Sequence, residues 1–218
     1  EPRTKTPIDA ILAAAGKLTS AEVRYTPADG IPSLKKAVIR YTEENYGRAV
    51  GARNVMIAAG AKAALYSLLV SIIDPQDEVI ILAPYWVSYP EMVRLCYGKP
   101  VIVTPEDGGF EPGLKEITDA VSSSTKAIIV NSPNNPSGAV YSEKLIASMV
   151  EYCEKKGIYL IMDDIYHRLI FDGKKAASCF KYSKDKSDAS RLVVINGVSK
   201  LYAMTGFRIG WAIANPRL

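Results

Sequence analysis

The sequence predicts a three-layer α/β/α fold with a mostly parallel central sheet, and three observations predict it. Short, continuously apolar runs recur along the chain at 78–82, 126–130, 158–162 and 192–195. Longer segments with apolar residues at helical spacing lie between most of them. Strands that are apolar on both sides need cover on both faces, which alternating helices provide in a βαβ series.

Residues 7–18 carry the spacing of a short helix with Pro7 in its first turn, and Thr26-Pro27-Ala28-Asp29-Gly30 reads as a turn. The segment 32–46 is amphipathic, with Leu34, Ala37, Val38 and Tyr41 on one face, and Gly47 ends it. A strand at 54–59 leads through Gly60-Ala61-Lys62 into a helix that Asp74-Pro75 stops near residue 73. Then come a strand at 78–82, a helix at 88–97, a strand at 100–104, a helix at 112–121 and a strand at 126–130. Ser142 is placed to cap a helix at 142–156, which is followed by strands at 158–162, 192–195 and 207–214. The stretch 172–190, rich in lysine, serine and aspartate, reads as a solvated connection. There is no internal repeat.

The 218 residues are 48% hydrophobic and 23% charged, a balance suited to one large globular domain. The net charge of +4 is scattered, with no basic run beyond short pairs, which argues against a nucleic-acid surface. Cys96, Cys153 and Cys179 are odd in number and far apart, so they predict free thiols in a reducing compartment. No run has the length of a transmembrane helix, and no leader opens the chain. These features predict a cytoplasmic protein with no membrane partner. The chain opens at Glu1-Pro2 and stops just after a strand-like run, so a piece of a longer protein is expected.

In such folds ligands lie beyond the carboxyl ends of the strands. The loops there carry Gly60-Ala61-Lys62, Pro84-Tyr85-Trp86, Asn131-Ser-Pro-Asn-Asn-Pro-Ser-Gly138, Asp163-Asp164-Ile165-Tyr166 and Ser199-Lys200. Small residues opening a helix leave free N–H groups at its positive end, either as a phosphate seat or as a plain tight turn. Asp163 ends an apolar strand, where a carboxylate needs a cation, a helix cap or a protonated ring nitrogen. Trp86 could stack on a flat ligand or pack in the core, and Tyr166 could offer its phenol or be half-buried core. The uncharged loop holding Asn135 suggests aimed amide hydrogen bonds, with a structural turn as the alternative. Lys200 is a surface lysine or an amine for carbonyl chemistry, and Arg208 is a planar fork suited to phosphate.

With these stretches quoted, the sequence resembles the fold-type I, pyridoxal-phosphate-dependent aminotransferases of class I/II, and within them the bacterial aspartate aminotransferase group. Tyr25-Thr-Pro-Ala-Asp-Gly-Ile31 and Met204-Thr-Gly-Phe-Arg-Ile-Gly210 complete the set, which spans nearly the whole chain in order. The resemblance implies pyridoxal 5'-phosphate as cofactor and a Schiff base on Lys200, whose amine then moves the proton at substrate Cα. It implies that Asp163 holds the pyridine nitrogen protonated, that Tyr166 and Asn135 bond the ring's phenolic oxygen, and that Trp86 stacks on the ring. Arg208 and the backbone of Gly60, Ala61 and Lys62 would bind the phosphate, with Tyr25 reaching it from the neighbouring subunit of a homodimer. The substrates implied are an amino acid, aspartate or another dicarboxylic one, and a 2-oxo acid.

Two departures stand out. The family often has serine three residues before the lysine, where this chain has Gly197. The family's arginine for the substrate α-carboxylate belongs to a C-terminal small domain, expected with an N-terminal arm outside 1–218. This chain alone is therefore expected to turn over poorly.

Two other chemistries use the same lysine and aspartate, a C–S β-lyase and a cyclopropane-forming synthase, and a truncated non-catalytic scaffold is a further alternative. Ser123-Ser-Thr-Lys126 matches the Ser-x-x-Lys pattern of acyl-enzymes, but its companion motifs are missing. His167 is the only histidine, too little for a metal cluster or a histidine triad, and is expected to face solvent beside Tyr166.

Overall fold

The computed structural model describes residues 5–18, 24–171, 173, 175–186 and 190–218. The opening Glu1-Pro2 and five positions of the 172–190 connection (Asp172, Lys174, Ser187, Asp188, Ala189) lie outside the described residues.

Seven strands form one sheet: β1 (Val55–Ala58), β2 (Glu78–Leu82), β3 (Lys99–Val103), β4 (Thr125–Asn131), β5 (Tyr159–Asp163), β6 (Leu192–Gly197) and β7 (Gly210–Ile213). Their order is β1-β7-β6-β5-β4-β2-β3. The run from β6 to β3 is parallel throughout, whereas β7 lies antiparallel to both β1 and β6. The sheet is thus mostly parallel and mixed at one side.

Alternate residues of the central strands feed two cores, as two-sided burial demands. Ile80, Leu82, Ile128, Val130, Leu160 and Met162 pack with Val38 of helix α2 (Pro32–Tyr46) and with Ile146, Met149 and Val150 of α6 (Glu143–Lys156). On the opposite face Val79, Ile81, Ile129, Ile161, Val193 and Ile195 pack with Leu65 and Leu69 of α3 (Ala61–Ile72) and Val93 of α4 (Ser88–Leu95). Each such side chain, fully buried, contributes about 1.5–3 kcal/mol relative to exposure. Helix α1 (Ile8–Ala15) buries none of its residues, and α5 (Leu114–Asp119) contributes Ile117 to the first core.

Local chemistry sets the helix ends. Ser142 accepts the Leu145 N–H at 3.2 Å as the N-cap of α6, and the Glu111 carboxylate accepts from the Ser142 N–H and hydroxyl at 2.8 and 2.6 Å.

Three expectations are corrected. The buried stripe of α2 runs Lys35, Val38, Thr42, Tyr46, and Ala37 is exposed. Lys35 can be buried because its ammonium pairs with Asp29 of the preceding turn. Within 172–190, helix α7 (Cys179–Tyr182) buries Cys179 and Phe180, because Phe180 fills a gap against Tyr46 with ring centroids 5.7 Å apart. The last strand begins at Gly210, since Thr205–Phe207 forms a 3-10 turn and Arg208 follows in the left-handed region at φ 52°.

Candidate active site

The parallel strands β4, β5 and β6 end at Asn131, Asp163 and Gly197 on one edge of the sheet. The segments that follow them, with the loop after β2 and the start of α3, enclose a cleft of about 290 Å³. Eight of the sequence candidates line it: Ala61, Lys62, Trp86, Asn135, Asp163, Tyr166, Lys200 and Arg208. Gly60 lies directly against the Arg208 guanidinium. Tyr25 does not line this cleft and is fully exposed.

Asp163 is buried at the end of β5, and burial pushes its carboxyl above the usual carboxylate range. Two donors oppose that shift: the Tyr89 hydroxyl donates to Oδ2 at 2.6 Å, and the Ile165 N–H donates to Oδ1 at 3.3 Å. Among the described residues no lysine or arginine pairs with it. A buried carboxylate that faces a cleft and has no ion-pair partner is a site that a cationic ligand atom stabilises.

Lys200 follows β6 with its Nζ 5.8 Å from the Tyr166 ring centroid. Burial, and then the nearby Asp163 charge, raise the Tyr166 phenol, keeping it a hydrogen-bond donor near neutral pH. Tyr166 sits in a turn closed by the His167 N–H to Asp164 carbonyl bond at 3.0 Å, not in a helix. Trp86 is half-buried, meets Tyr89 edge-on at 5.5 Å, and carries the Lys62 ammonium 4.7 Å from its ring centroid.

The Arg208 end of the cleft is built by close backbone approach. Gly60 has φ 94°, and a Cβ there would lie 2.9 Å from the Arg208 Cζ and overlap Nη2. A Cβ on Gly210 would lie 2.8 Å from the Ala61 Cα and overlap the Ala61 nitrogen. The absence of side chains at both positions brings the guanidinium against the N-terminus of α3, whose first N–H groups have no intrahelical partner. Arg208 Nη1 donates to the Thr205 carbonyl at 3.0 Å, which fixes the fork in place. At Gly197 a Cβ would lie 2.8 Å from the Ile209 carbonyl oxygen, so this backbone has no room for a side chain such as serine. The buried Ser199 lines the cleft instead.

Sequence reasoning assigned no role to Tyr89 or Asn131. Tyr89 stands three residues after Trp86, and its N–H donates to the Trp86 carbonyl at 3.0 Å in the turn that leads into α4, which brings the two rings together. Asn131 donates to the Asp163 carbonyl at 2.8 Å and accepts the Asn135 N–H at 2.7 Å, and Asn134 donates to the Pro84 carbonyl at 2.9 Å. The asparagines therefore lace three loops together, and the peptide bonds before Pro84, Pro133 and Pro136 are cis. His167 is corrected: it stacks on Tyr46 at 5.1 Å instead of facing solvent, because Tyr41 and Tyr46 of α2 form an aromatic slot behind the turn. Lys126 of the Ser-x-x-Lys pattern pairs with Asp77 at 3.1 Å, which occupies its amine outside the cleft.

The family model for aminotransferase class I and II matches residues 1–218. The chain belongs to that family. As an aminotransferase-family chain it is 40% identical over 213 residues to the probable aspartate/prephenate aminotransferase of Thermus aquaticus, covering 97% of this chain and 54% of that protein. It is 39% identical over 213 residues to the aspartate aminotransferase of Bacillus subtilis strain 168, with the same coverage of 97% and 54%. Among solved structures, the aspartate aminotransferase from Thermus thermophilus with maleate superposes with TM-score 0.91 at 37% identity, covering 100% of this chain and 56% of that one. The Rhizobium meliloti aspartate aminotransferase gives TM-score 0.92 at 35% identity, covering 100% and 54%. The chain spans about half the length of the curated relatives it matches. No helix among the described residues is long and apolar enough to cross a membrane.

Proposed function

We propose that residues 1–218 form the large, cofactor-binding domain of a cytoplasmic, pyridoxal-phosphate-dependent aminotransferase that acts as a homodimer. Its small domain and N-terminal arm lie outside this segment. The observation that carries the reading is the composition of one cleft: a buried carboxylate without a cation, a lysine amine, and an arginine fork set against a helix N-terminus. Those features suit a flat ring with a cationic nitrogen at one end and a phosphate at the other.

When bound, pyridoxal 5'-phosphate supplies an aldehyde carbon for an amine and a ring that accepts the electron pair left at substrate Cα. The chain's own residues do the rest. Asp163, ionised, holds a proton on the ring nitrogen, and Tyr89 keeps that carboxylate aimed. Tyr166 and Asn135 bond the phenolic oxygen, and Trp86 covers the ring and excludes water. Arg208 and the N–H groups of Ala61 and Lys62 would bind the phosphate, joined by Tyr25 of a second copy, while the Gly60 N–H donates to the Ala58 carbonyl at 2.7 Å and Gly60 serves by its missing side chain. Lys200 Nζ would accept and carry the proton released from substrate Cα.

For the donor we propose aspartate or another dicarboxylic amino acid, with a 2-oxo acid as acceptor. Three side-chain cations reach the cleft, and with Lys200 and Arg208 engaged, the Lys62 ammonium at the Trp86 face is left for a second substrate carboxylate. Full-length protein loaded with cofactor should convert it to the pyridoxamine form with aspartate, without acceptor, and regenerate it with a 2-oxo acid. Release of pyruvate and ammonia instead would reject transamination in favour of a lyase. Residues 1–218 alone should turn over poorly, and activity equal to the full-length protein would reject the domain assignment.

A further inference from the structure

Behind the cleft, His167 sits at the centre of a polar knot that the chemistry above does not use. Its Nδ1 lies 2.8 Å from the Asp164 carbonyl oxygen and its Nε2 lies 2.8 Å from the Tyr41 hydroxyl. A carbonyl only accepts, so Nδ1 carries the proton and Nε2 accepts from Tyr41. The ring is then neutral, in keeping with burial pulling its pKa down to about 4. Asn196 stands 3.2 Å from Nδ1 but uses its amide to donate to the Tyr46 hydroxyl at 2.8 Å. The charged and titratable groups around the ring are Tyr41 and Tyr46 of α2, Asp164 and Arg168, with Glu44 and Lys175 in the adjoining pocket.

This knot joins three elements. The turn 164–167 carries Tyr166 and directly follows Asp163, and Asn196 lies four residues before Lys200 on β6. Helix α2 supplies the fixed side, because Tyr41 and Tyr46 are packed against the main core. The His167 ring takes both the Tyr41 bond and the Tyr46 stack from α2 and hands them to the turn through the Asp164 carbonyl, while the Tyr46 hydroxyl also bonds the Asp164 side chain.

We propose that His167 is a positioning residue: by fastening the turn after β5 to α2, it sets the direction in which Asp163 and Tyr166 face the cleft. It touches neither substrate nor cofactor. Its neutral form serves best, since a protonated ring could no longer accept from Tyr41. The inference rests on the reading that Asp163 and Tyr166 hold the cofactor ring.

The test uses full-length holoenzyme and three variants, each read by pyridoxal phosphate affinity, by the pH midpoint of the bound cofactor's absorbance change, and by the melting temperature without cofactor. His167→Phe keeps the stack and deletes both ring nitrogens. It should weaken cofactor binding about tenfold, as loss of residues that aim a binding group commonly does, and move the midpoint. His167→Asn restores a donor toward the Asp164 carbonyl and should recover part of the affinity. Tyr41→Phe deletes one hydroxyl from a packed ring and should shift affinity and midpoint in the same direction by less, with the cofactor-free melting temperature little changed. If His167→Phe lowers only the melting temperature, or if Asn does no better than Phe, His167 is structural filler and the inference is overturned. A parent protein that does not hold cofactor through Lys200 overturns the underlying reading and this inference together.

Discussion

Replacing Gly60 with alanine tests the anion seat with one methyl group. The added Cβ would stand 2.9 Å from the Arg208 Cζ, well inside the usual contact distance, so the guanidinium must swing away from the start of α3. The atom in the way is the tip of a flexible side chain, so the steric cost to folding is small, and the main penalty is φ 94° for a residue with a side chain, about 1–3 kcal/mol. Arg208 loses its place at the phosphate, and a hydrogen bond to a charged group is worth about 1.5–3 kcal/mol. Cofactor affinity should therefore fall about ten- to a hundredfold, while the cofactor-free protein still unfolds in one cooperative transition at a modestly lower denaturant concentration. Equilibrium titration with pyridoxal phosphate, beside urea unfolding of the cofactor-free protein, separates the two effects. Unchanged affinity in Gly60→Ala would show that Arg208 and the α3 N-terminus do not form the phosphate seat.

Gly210→Ala is the contrasting case, because its Cβ meets the Ala61 backbone and not a flexible tip; it should cost about 1–3 kcal/mol in urea unfolding and also weaken cofactor binding. Tyr89→Phe removes the hydrogen bond that opposes the raised Asp163 pKa, so the acid limb of cofactor affinity, where Asp163 becomes protonated and releases the ring nitrogen, should move to higher pH; an unmoved limb would remove Tyr89 from the account. Burial raises Asp164 from 3.8 to about 7, so between those values the folded state binds more protons than the unfolded one, and its contribution is full below pH 3.8 and lost as pH rises toward 7. The stability advantage of the parent over Asp164→Asn should shrink with rising pH by up to about 1.4 kcal/mol per unit across that window, read by urea unfolding at several pH values.

The fold was legible because both-sided burial forces continuous apolar strands, and β2, at Glu78–Leu82, falls where its apolar run does. The cleft was legible because segments that follow parallel strands share one edge of the sheet, which brings Asp163 and Lys200 to one cleft, whereas the roles expected of them came from the resemblance. What sequence reading missed depends on contacts between distant segments. The slot that hides His167 needs α2, more than a hundred residues earlier in the chain. Tyr89 gave a signal in its spacing from Trp86, but its bond to Asp163 joins residues 74 apart. Likewise, the tight fit at Gly197 follows from β7 folding back antiparallel to β6, a direction that apolar patterning does not encode.

The most direct test of the central claim is borohydride reduction of the full-length protein after addition of pyridoxal 5'-phosphate, followed by peptide mapping by mass. The account predicts that the reduced cofactor is found on Lys200, that Lys200→Ala abolishes the label, and that Asp163→Asn weakens it. Label on Lys62 or on any other lysine, with Lys200 unmodified, would contradict it.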